Sequence, residues 1–177
     1  MIQPAGASWI VRPARPEDTA QIREVERAAF PTEAEADLVE ALVASGDVTF
    51  SLIAEADGAV LGHLLCSRMQ VDADDRAFRA VALGPVAVLA ESQSLGIGAA
   101  LIREALERSR KAGEEVMFVL GDPAYYGRFG FSAETARPFA SPYAGEYFMA
   151  IRFGEGPPPR AGRADYAPAF AALEQTE

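Results

Sequence analysis

The sequence predicts an α/β (α+β) domain in which helices flank a mixed, mostly antiparallel central sheet. An Asp57-Gly58 pair joins two apolar runs, which is typical of an antiparallel hairpin. An apolar run over 80–89 leads into a helical pattern over 101–112 and then a second apolar run over 115–120, and a helical crossover of this kind joins parallel strands. Half of the 177 residues are apolar, enough for one buried core.

The first third of the chain predicts one strand and two helices. Residues 9–12 form a short strand, and the prolines at 13 and 16 turn the chain into a helix that ends at Pro31. A second helix runs from about Glu35 and closes at Gly46. The residues expected on the buried faces are Ile22, Val25, Ala29 and Phe30 in the first helix and Leu38, Val39, Leu42 and Val43 in the second.

Three strands are predicted next, over 49–54, 60–66 and 80–89, with the acidic stretch 72–75 as a solvated loop. Pro85 lies inside the last of them. Because proline has no N–H for a ladder, Gly84-Pro85 predicts a bulge where this strand leaves its neighbour. The backbone of 86–88 is then free to pair with an amide-bearing ligand.

The last third predicts a fifth strand, a short helix and a final strand. Asp122 is a suitable N-cap and Pro123 a suitable first residue for a helix through Tyr126. The final strand covers 146–153. Three prolines at 157–159 mark the end of the compact unit, so a single domain over residues 1–156 and a C-terminal tail over 157–177 are expected. Two alternatives are open for Tyr166 to Leu173 in this tail: docking as a short helix, or no packing against the domain.

Composition excludes several classes of function. The net charge of −10 argues against binding to nucleic acid or anionic lipid, and it is compatible with an amine substrate. Cys66 and His63 are the single residues of their types, so no metal cluster is expected, and Cys66 reads as a buried apolar residue. Residues 1–8 lack the features of a signal peptide, and no run suits a membrane span of ~18 residues. A cytoplasmic protein is expected, and a homodimer is compatible with the sequence.

A loop with two glycines, Gln93-Ser-Leu-Gly96-Ile-Gly98, opens the long helix. Unpaired N–H groups at the positive end of a helix dipole hold phosphate oxygens well, although two glycines also suit a plain strand-to-helix turn. The loop lacks the Gly-Lys-Ser/Thr of a P-loop and the third glycine of a dinucleotide fingerprint.

Two motifs resemble the GCN5-related N-acetyltransferase (GNAT) superfamily. The first is Gln93-x-x-Gly96-x-Gly98, preceded by the run 83–88, Leu-Gly-Pro-Val-Ala-Val. The second is the run 121–131, which matches the form Gly-Asp-Pro-x-Tyr-Tyr-x-Arg-Phe-Gly-Phe of one bacterial subgroup. The resemblance covers roughly residues 9–153.

The resemblance implies acetyl-CoA as co-substrate, no metal, and direct attack on the thioester by a small-molecule or peptide amine, in a cleft where strands four and five splay. It assigns Tyr126 as the general acid. The neighbouring Tyr125 is the alternative candidate for that role. A phenol is a proton donor at neutral pH, as that role requires. The residues expected to bind the co-substrate are Val86, Ala87, Val88, Gln93, Ser94, Leu95, Gly96, Ile97, Gly98 and Ala99.

The chain departs from the family pattern in two places. The run 79–85 lacks the acid that many relatives carry in the fourth strand, and 121–123 lacks the asparagine that contacts pantetheine. His63 is a weak candidate for the base. Glu33 and Glu35, near the loop between the first two helices, are candidates for the acceptor side of the cleft, although the pattern favours solvated surface for both. The alternatives to an enzyme are a non-catalytic acyl-CoA-binding regulatory module and a scaffold that kept only the fold.

Overall fold

An eight-stranded sheet carries the fold in the computed structural model, which describes residues 8–175. The strands are β1 (Ile10–Pro13), β2 (Val48–Ala56), β3 (Ala59–Ala73), β4 (Arg76–Val88), β5 (Val116–Leu120), β6 (Phe139–Ala140), β7 (Phe148–Arg152) and β8 (Gly162–Asp165). The main path runs β1-β2-β3-β4-β5-β7, and β8 pairs with β3 and β6. The β4–β5 and β6–β8 pairs are parallel and the other described pairs are antiparallel, which confirms the predicted sheet.

Helices cover both faces of the sheet. They are α1 (Thr19–Ala29), α2 (Ala34–Ser45), α3 (Ile97–Lys111), α4 (Pro123–Tyr126) and α5 (Ala133–Ala136). Alternate residues of β2 face opposite layers: Leu52 packs in the core under α3, and Ile53 packs in the core under α1 and α2. On α3, side chains four residues apart form the ion pairs Glu104–Arg108 and Glu107–Lys111.

The helix α2 ends as the sequence predicts, but its buried stripe is narrower than expected. Gly46 adopts a left-handed conformation with φ 77°, and its N–H bonds to the carbonyls of the last turn. Leu42 is fully buried, whereas Val43 is 62% exposed. Val43 follows Leu42 by 100° around the helix, which turns its side chain away from the sheet and into solvent.

The acids of the stretch 72–75 are exposed as predicted, but only its last two residues connect the strands, so the predicted loop is shorter than expected. Asp72 lies in β3, and the connection to β4 consists of Asp74 and Asp75, both with positive φ. The Asp74 carboxylate accepts backbone N–H bonds from Arg160 at 3.0 Å and from Ala161 at 3.4 Å. This turn therefore holds the chain that leads into β8.

The described part of the predicted tail belongs to the fold. The strand β7 is shorter than the predicted strand over 146–153, and it is followed by β8, which pairs with β3. A Cβ on Gly162 would clash with Ala73, so glycine permits the close contact between these strands. Residues 168–175 form a 3₁₀ segment that packs near α2. The boundary at 156 therefore differs from the structure.

The described residues exclude 1–7 and 176–177. The expected lack of a signal peptide concerns the first of these ranges and therefore lies outside the described residues. Within 8–175, no helix combines the length and apolar character that a membrane crossing requires.

Candidate active site

A cleft opens where β4 and β5 part. Their parallel pairing begins at Ala80 and Val116 and stops at Leu83 and Val119. Beyond that point β4 continues along β3 as far as Val88. The predicted splay of strands four and five is therefore confirmed.

A bulge in β4 sits at the start of the cleft. Pairing with β3 passes from Cys66–Leu83 to Leu64–Val86, so β4 uses one residue more than β3 across this step. The extra residue lies within Gly84-Pro85, as predicted.

The free backbone of β4 faces the cleft on one side only. The Leu89 N–H donates to the Leu61 carbonyl of β3 at 3.0 Å. Because backbone groups alternate along an antiparallel strand, those of Val88 and Val86 point away from β3 and towards the cleft. Ala87 points the other way, and its side chain is buried under α1 and α2. Neither the backbone groups nor the side chain of Ala87 therefore faces the cleft, so the structure offers no group of Ala87 for its predicted contact with a ligand.

The glycine loop forms a cavity of about 360 Å³ at the start of α3. Gly96 caps the helix with φ 81°, a conformation that favours glycine. The residues that line the cavity include Val88, Ser94, Gly96, Gly98, Ala99 and Arg128. Since the first N–H groups of a helix have no partner inside it, this cavity suits an anion.

The other predicted loop residues differ in whether and how they contact the cavity. Gln93 also lines it, but its amide donates to the Val88 carbonyl at 3.2 Å and so ties the loop to β4. The Ile97 side chain is buried in the core, which leaves its backbone for a ligand. Leu95 is 39% exposed and does not line the cavity.

Tyr125 and Arg128 complete this cavity, and the sequence analysis gave neither a phosphate-binding role. The Tyr125 hydroxyl lies 3.1 Å from where a Cβ of Gly98 would be. The Arg128 guanidinium lies 4.8 Å from the centre of the Tyr125 ring. A guanidinium beside a helix N-terminus suits a pyrophosphate. The basic position of the second motif was the signal for Arg128.

Tyr126 is held at the cleft by the turn before α4. Asp122 accepts the Ala124 N–H at 2.9 Å, which confirms the predicted N-cap. The Tyr126 ring packs so close to Gly121 that a Cβ there would overlap it. The rings of Tyr126 and Phe131 pack edge to face, at 6.0 Å between ring centres. Small and aromatic neighbours therefore fix the position of its hydroxyl.

Burial raises the pKa of Tyr126 to about 12, and the nearby Tyr125 adds to the rise. Burial disfavours the phenolate because a charge loses its hydration in an apolar environment. The group is therefore a protonated donor throughout the neutral range.

A second cavity, of about 470 Å³, is bordered by Tyr126. Pro85 and Val86 of the bulge form part of its wall, and Glu35 lines it as well. Glu35 is only partly exposed, so its interpretation as solvated surface is wrong, whereas Glu33 is exposed as expected. The remaining walls include four aromatic residues that the sequence did not connect with the site: Phe30, Tyr143, Tyr166 and Phe170.

His63 lines neither cavity. It is fully buried beneath α1, with Nδ1 2.6 Å from Glu26 Oε1 and Nε2 2.7 Å from Ser51 Oγ. These bonds occupy both ring nitrogens inside the core. Sequence reasoning missed Glu26, whose spacing of four residues from Ile22 on the buried face was the available signal.

We expect Glu26→Ala to lower the free energy of unfolding by about 3 kcal/mol, because it removes a buried hydrogen bond and leaves His63 Nδ1 without a partner. Urea unfolding followed by circular dichroism measures the change. Glu24→Ala is the control, since Glu24 is exposed on the same helix and its loss is expected to cost under about 0.5 kcal/mol. Equal unfolding midpoints for the two variants would contradict a stabilising role for the buried chain.

No group of three or more His, Cys, Asp or Glu side chains within 8–175 is arranged to hold a metal ion. Cys66 is fully buried, as predicted, and burial raises the pKa of its thiol. A thiol in this state is a poor nucleophile.

Comparison with known proteins gives consistent matches. The model of the acetyltransferase (GNAT) domain matches residues 10–133. The chain is 40% identical over 116 residues to the uncharacterized N-acetyltransferase YjhQ of Escherichia coli K12, covering 64% of each protein. It is 34% identical over 123 residues to the uncharacterized N-acetyltransferase YhbS of the same strain, covering 69% of this chain and 72% of YhbS.

Solved structures agree with these matches. A GNAT family acetyltransferase from Brucella melitensis, in complex with acetyl-CoA, has a TM-score of 0.76 and 37% identity over 93% of this chain and 99% of that one. The YhbS structure from Escherichia coli, in complex with CoA, has a TM-score of 0.83 and 28% identity over 97% and 96% of the two chains.

Proposed function

This chain belongs to the GNAT acetyltransferase family, and from that premise we propose that it transfers the acetyl group of acetyl-CoA to a primary amine. One observation carries the proposal: the free backbone of Val86 and the hydroxyl-bearing ring of Tyr126 border the same cavity, next to the glycine loop. The second motif, over 121–131, supports placement in the bacterial subgroup that carries it.

The proposed binding mode follows the cleft. The N–H groups at Gly96 and Gly98 bind the pyrophosphate, with Arg128 as the counter-charge. The amides of pantetheine pair with the backbone of Val86 and Val88 in the manner of an added strand. This arrangement leads the thioester to the bulge in β4.

In the proposed reaction, the amine nitrogen attacks the thioester carbonyl carbon directly, and no acyl-enzyme forms. The carbonyl oxygen accepts a hydrogen bond from a β4 N–H, the C–S bond breaks, and Tyr126 gives its proton to the sulfur. The Tyr126 phenolate then takes the proton that the amine loses. An acceptor that arrives as an ammonium ion first releases one proton to solvent, because only the neutral amine has the lone pair that attacks. The products are then the amide and free CoA, and Tyr126 regains the proton that it gave.

Calorimetric titration with acetyl-CoA and with CoA tests the proposal. We expect micromolar binding that weakens as salt is added, since anion binding at a helix N-terminus is screened by salt. Thiol release on addition of an amine then shows turnover. The lack of any binding would mean that the glycine loop is only a turn.

A non-catalytic acyl-CoA-binding module is the second candidate, and the lack of an acid in the run 79–85 favours it. Turnover of any amine would reject it. The homodimer and the cytoplasmic location stay predictions of the sequence.

The pKa of Tyr126 gives a pH prediction. With a pKa of about 12 the hydroxyl keeps its proton as the pH rises, so only about 1% is ionised at pH 10, against about half for an ordinary tyrosine. We therefore expect kcat to rise as the amine loses its proton and to show no alkaline decline below pH 10. Initial rates between pH 6 and 10.5 at saturating acetyl-CoA measure this, and a decline centred below pH 9.5 would contradict it.

A further inference from the structure

The cavity shared by Tyr126 and the β4 bulge contains a carboxylate without a protein partner. Glu35 lines this cavity and its Oε2 is buried, yet no hydrogen bond or ion pair from residues 8–175 reaches that carboxylate. The acids two positions away on either side differ, because Glu33 and Asp37 both pair with Arg23. A buried polar atom without a partner requires an explanation, and a cationic ligand provides one.

Aromatic rings form the wall around this carboxylate. Tyr143 and Tyr166 pack edge to face at 5.2 Å, and Tyr166 and Phe170 at 4.8 Å, between ring centres. Phe30 approaches from the end of α1. Ring faces attract an ammonium group and bury an apolar body at the same time.

Basic side chains are missing from this wall: none of the described residues that line the cavity is Arg, Lys or His. The second carboxylate there, on Glu174, accepts a hydrogen bond from the Tyr143 hydroxyl at 2.5 Å. An acceptor with its own carboxylate or phosphate would face two acids and no counter-charge, and such an uncompensated charge is costly to bury. The volume of about 470 Å³ suits a small molecule.

We infer that the acceptor is a small primary amine on an aromatic or other apolar body that carries no anionic group, and that Glu35 binds its ammonium. This inference rests on the proposed function, because it identifies the cavity beside Tyr126 as the acceptor side of the cleft. Glu35 favours an acceptor with a positive charge. The rings of Phe30, Tyr166 and Phe170 favour an acceptor whose remaining part is apolar.

Thiol-release kinetics with 2-phenylethylamine and with L-phenylalanine test the inference, since these acceptors share a body and differ by one carboxylate. We expect kcat/KM to be at least 100-fold higher for 2-phenylethylamine. In Glu35→Gln, the KM for 2-phenylethylamine should rise at least tenfold, with kcat and the Kd of acetyl-CoA changed less than threefold. Glu33→Gln is the matched control, and its KM should stay within twofold of the wild type.

Two failures are distinguishable. Three results would overturn the acceptor class and leave acetyl-CoA binding intact. They are equal turnover of the two acceptors, no turnover of 2-phenylethylamine by protein that binds acetyl-CoA, and an unchanged KM in Glu35→Gln. A wild-type protein that shows no calorimetric binding of acetyl-CoA would overturn the proposed function itself.

Discussion

Replacing Tyr126 by phenylalanine is expected to lower kcat by about 10²- to 10⁴-fold, the usual contribution of a positioned proton donor. The change removes one oxygen atom and keeps the ring, so the contacts with Phe131 and Gly121 are preserved. The thiolate of CoA then leaves without a proton from the protein. Because the proposed binding mode holds acetyl-CoA mainly through the loop and β4, its affinity should stay within about threefold of the wild type.

Steady-state kinetics and calorimetry on the same preparation separate the two effects. Tyr125→Phe is the matched control, because its hydroxyl lies near Gly98 on the pyrophosphate side of the same short helix. This control should change the Kd of acetyl-CoA more than kcat. If the loss of kcat appears in Tyr125→Phe instead, the roles of the two tyrosines are reversed, and if it appears in neither, the phenol is not the general acid.

Features determined by neighbouring residues were accessible from the sequence. Few residue types accept the backbone conformations required at the Asp57-Gly58 turn, the Gly46 cap and the Asp122 cap. Each of these features can therefore be predicted from a short segment of sequence. The bulge at Gly84-Pro85 follows in the same way from a missing N–H. The position of the cleft was therefore predictable before any contact was known.

The walls of the acceptor cavity were not predictable, because they depend on packing between distant segments. Tyr166 and Phe170 come from beyond the prolines at 157–159, where the sequence indicated a tail. In the structure, the chain after these prolines pairs with β3 as β8 and then packs near α2, next to Glu35. Nothing in the local composition of 162–175 encodes that long-range pairing.

The burial of Glu26 has the same origin. Its sequence neighbours mark a helix with an apolar face, and a carboxylate on that face conflicts with the pattern. His63, which lies 37 positions away, reduces this conflict because its Nδ1 forms a hydrogen bond with one oxygen of the buried carboxylate, Oε1. A partner at that separation becomes visible only when β3 is placed beneath α1.

Gly98→Leu should weaken acetyl-CoA binding at least 100-fold, or about 2.7 kcal/mol. Gly98 lies in the first turn of α3 and lines the cavity assigned to the pyrophosphate. A Cβ at this position already comes within 3.1 Å of the Tyr125 hydroxyl and 3.8 Å of a Val88 methyl group. The remaining carbons of leucine would therefore occupy the space that the phosphates need, and calorimetric titration with acetyl-CoA measures the loss.

Gly98→Ala separates this steric effect from any change in the helix. Alanine and leucine both favour a helix over glycine, by up to about 1 kcal/mol, so neither variant should melt below the wild type. The added methyl group of alanine meets only the hydroxyl end of the Tyr125 side chain within 3.4 Å, and that end can shift by a few tenths of an ångström. Affinity in Gly98→Ala should thus remain within a few-fold. Wild-type affinity in Gly98→Leu would show that the pyrophosphate binds elsewhere, because a side chain of that size cannot share this cavity with it.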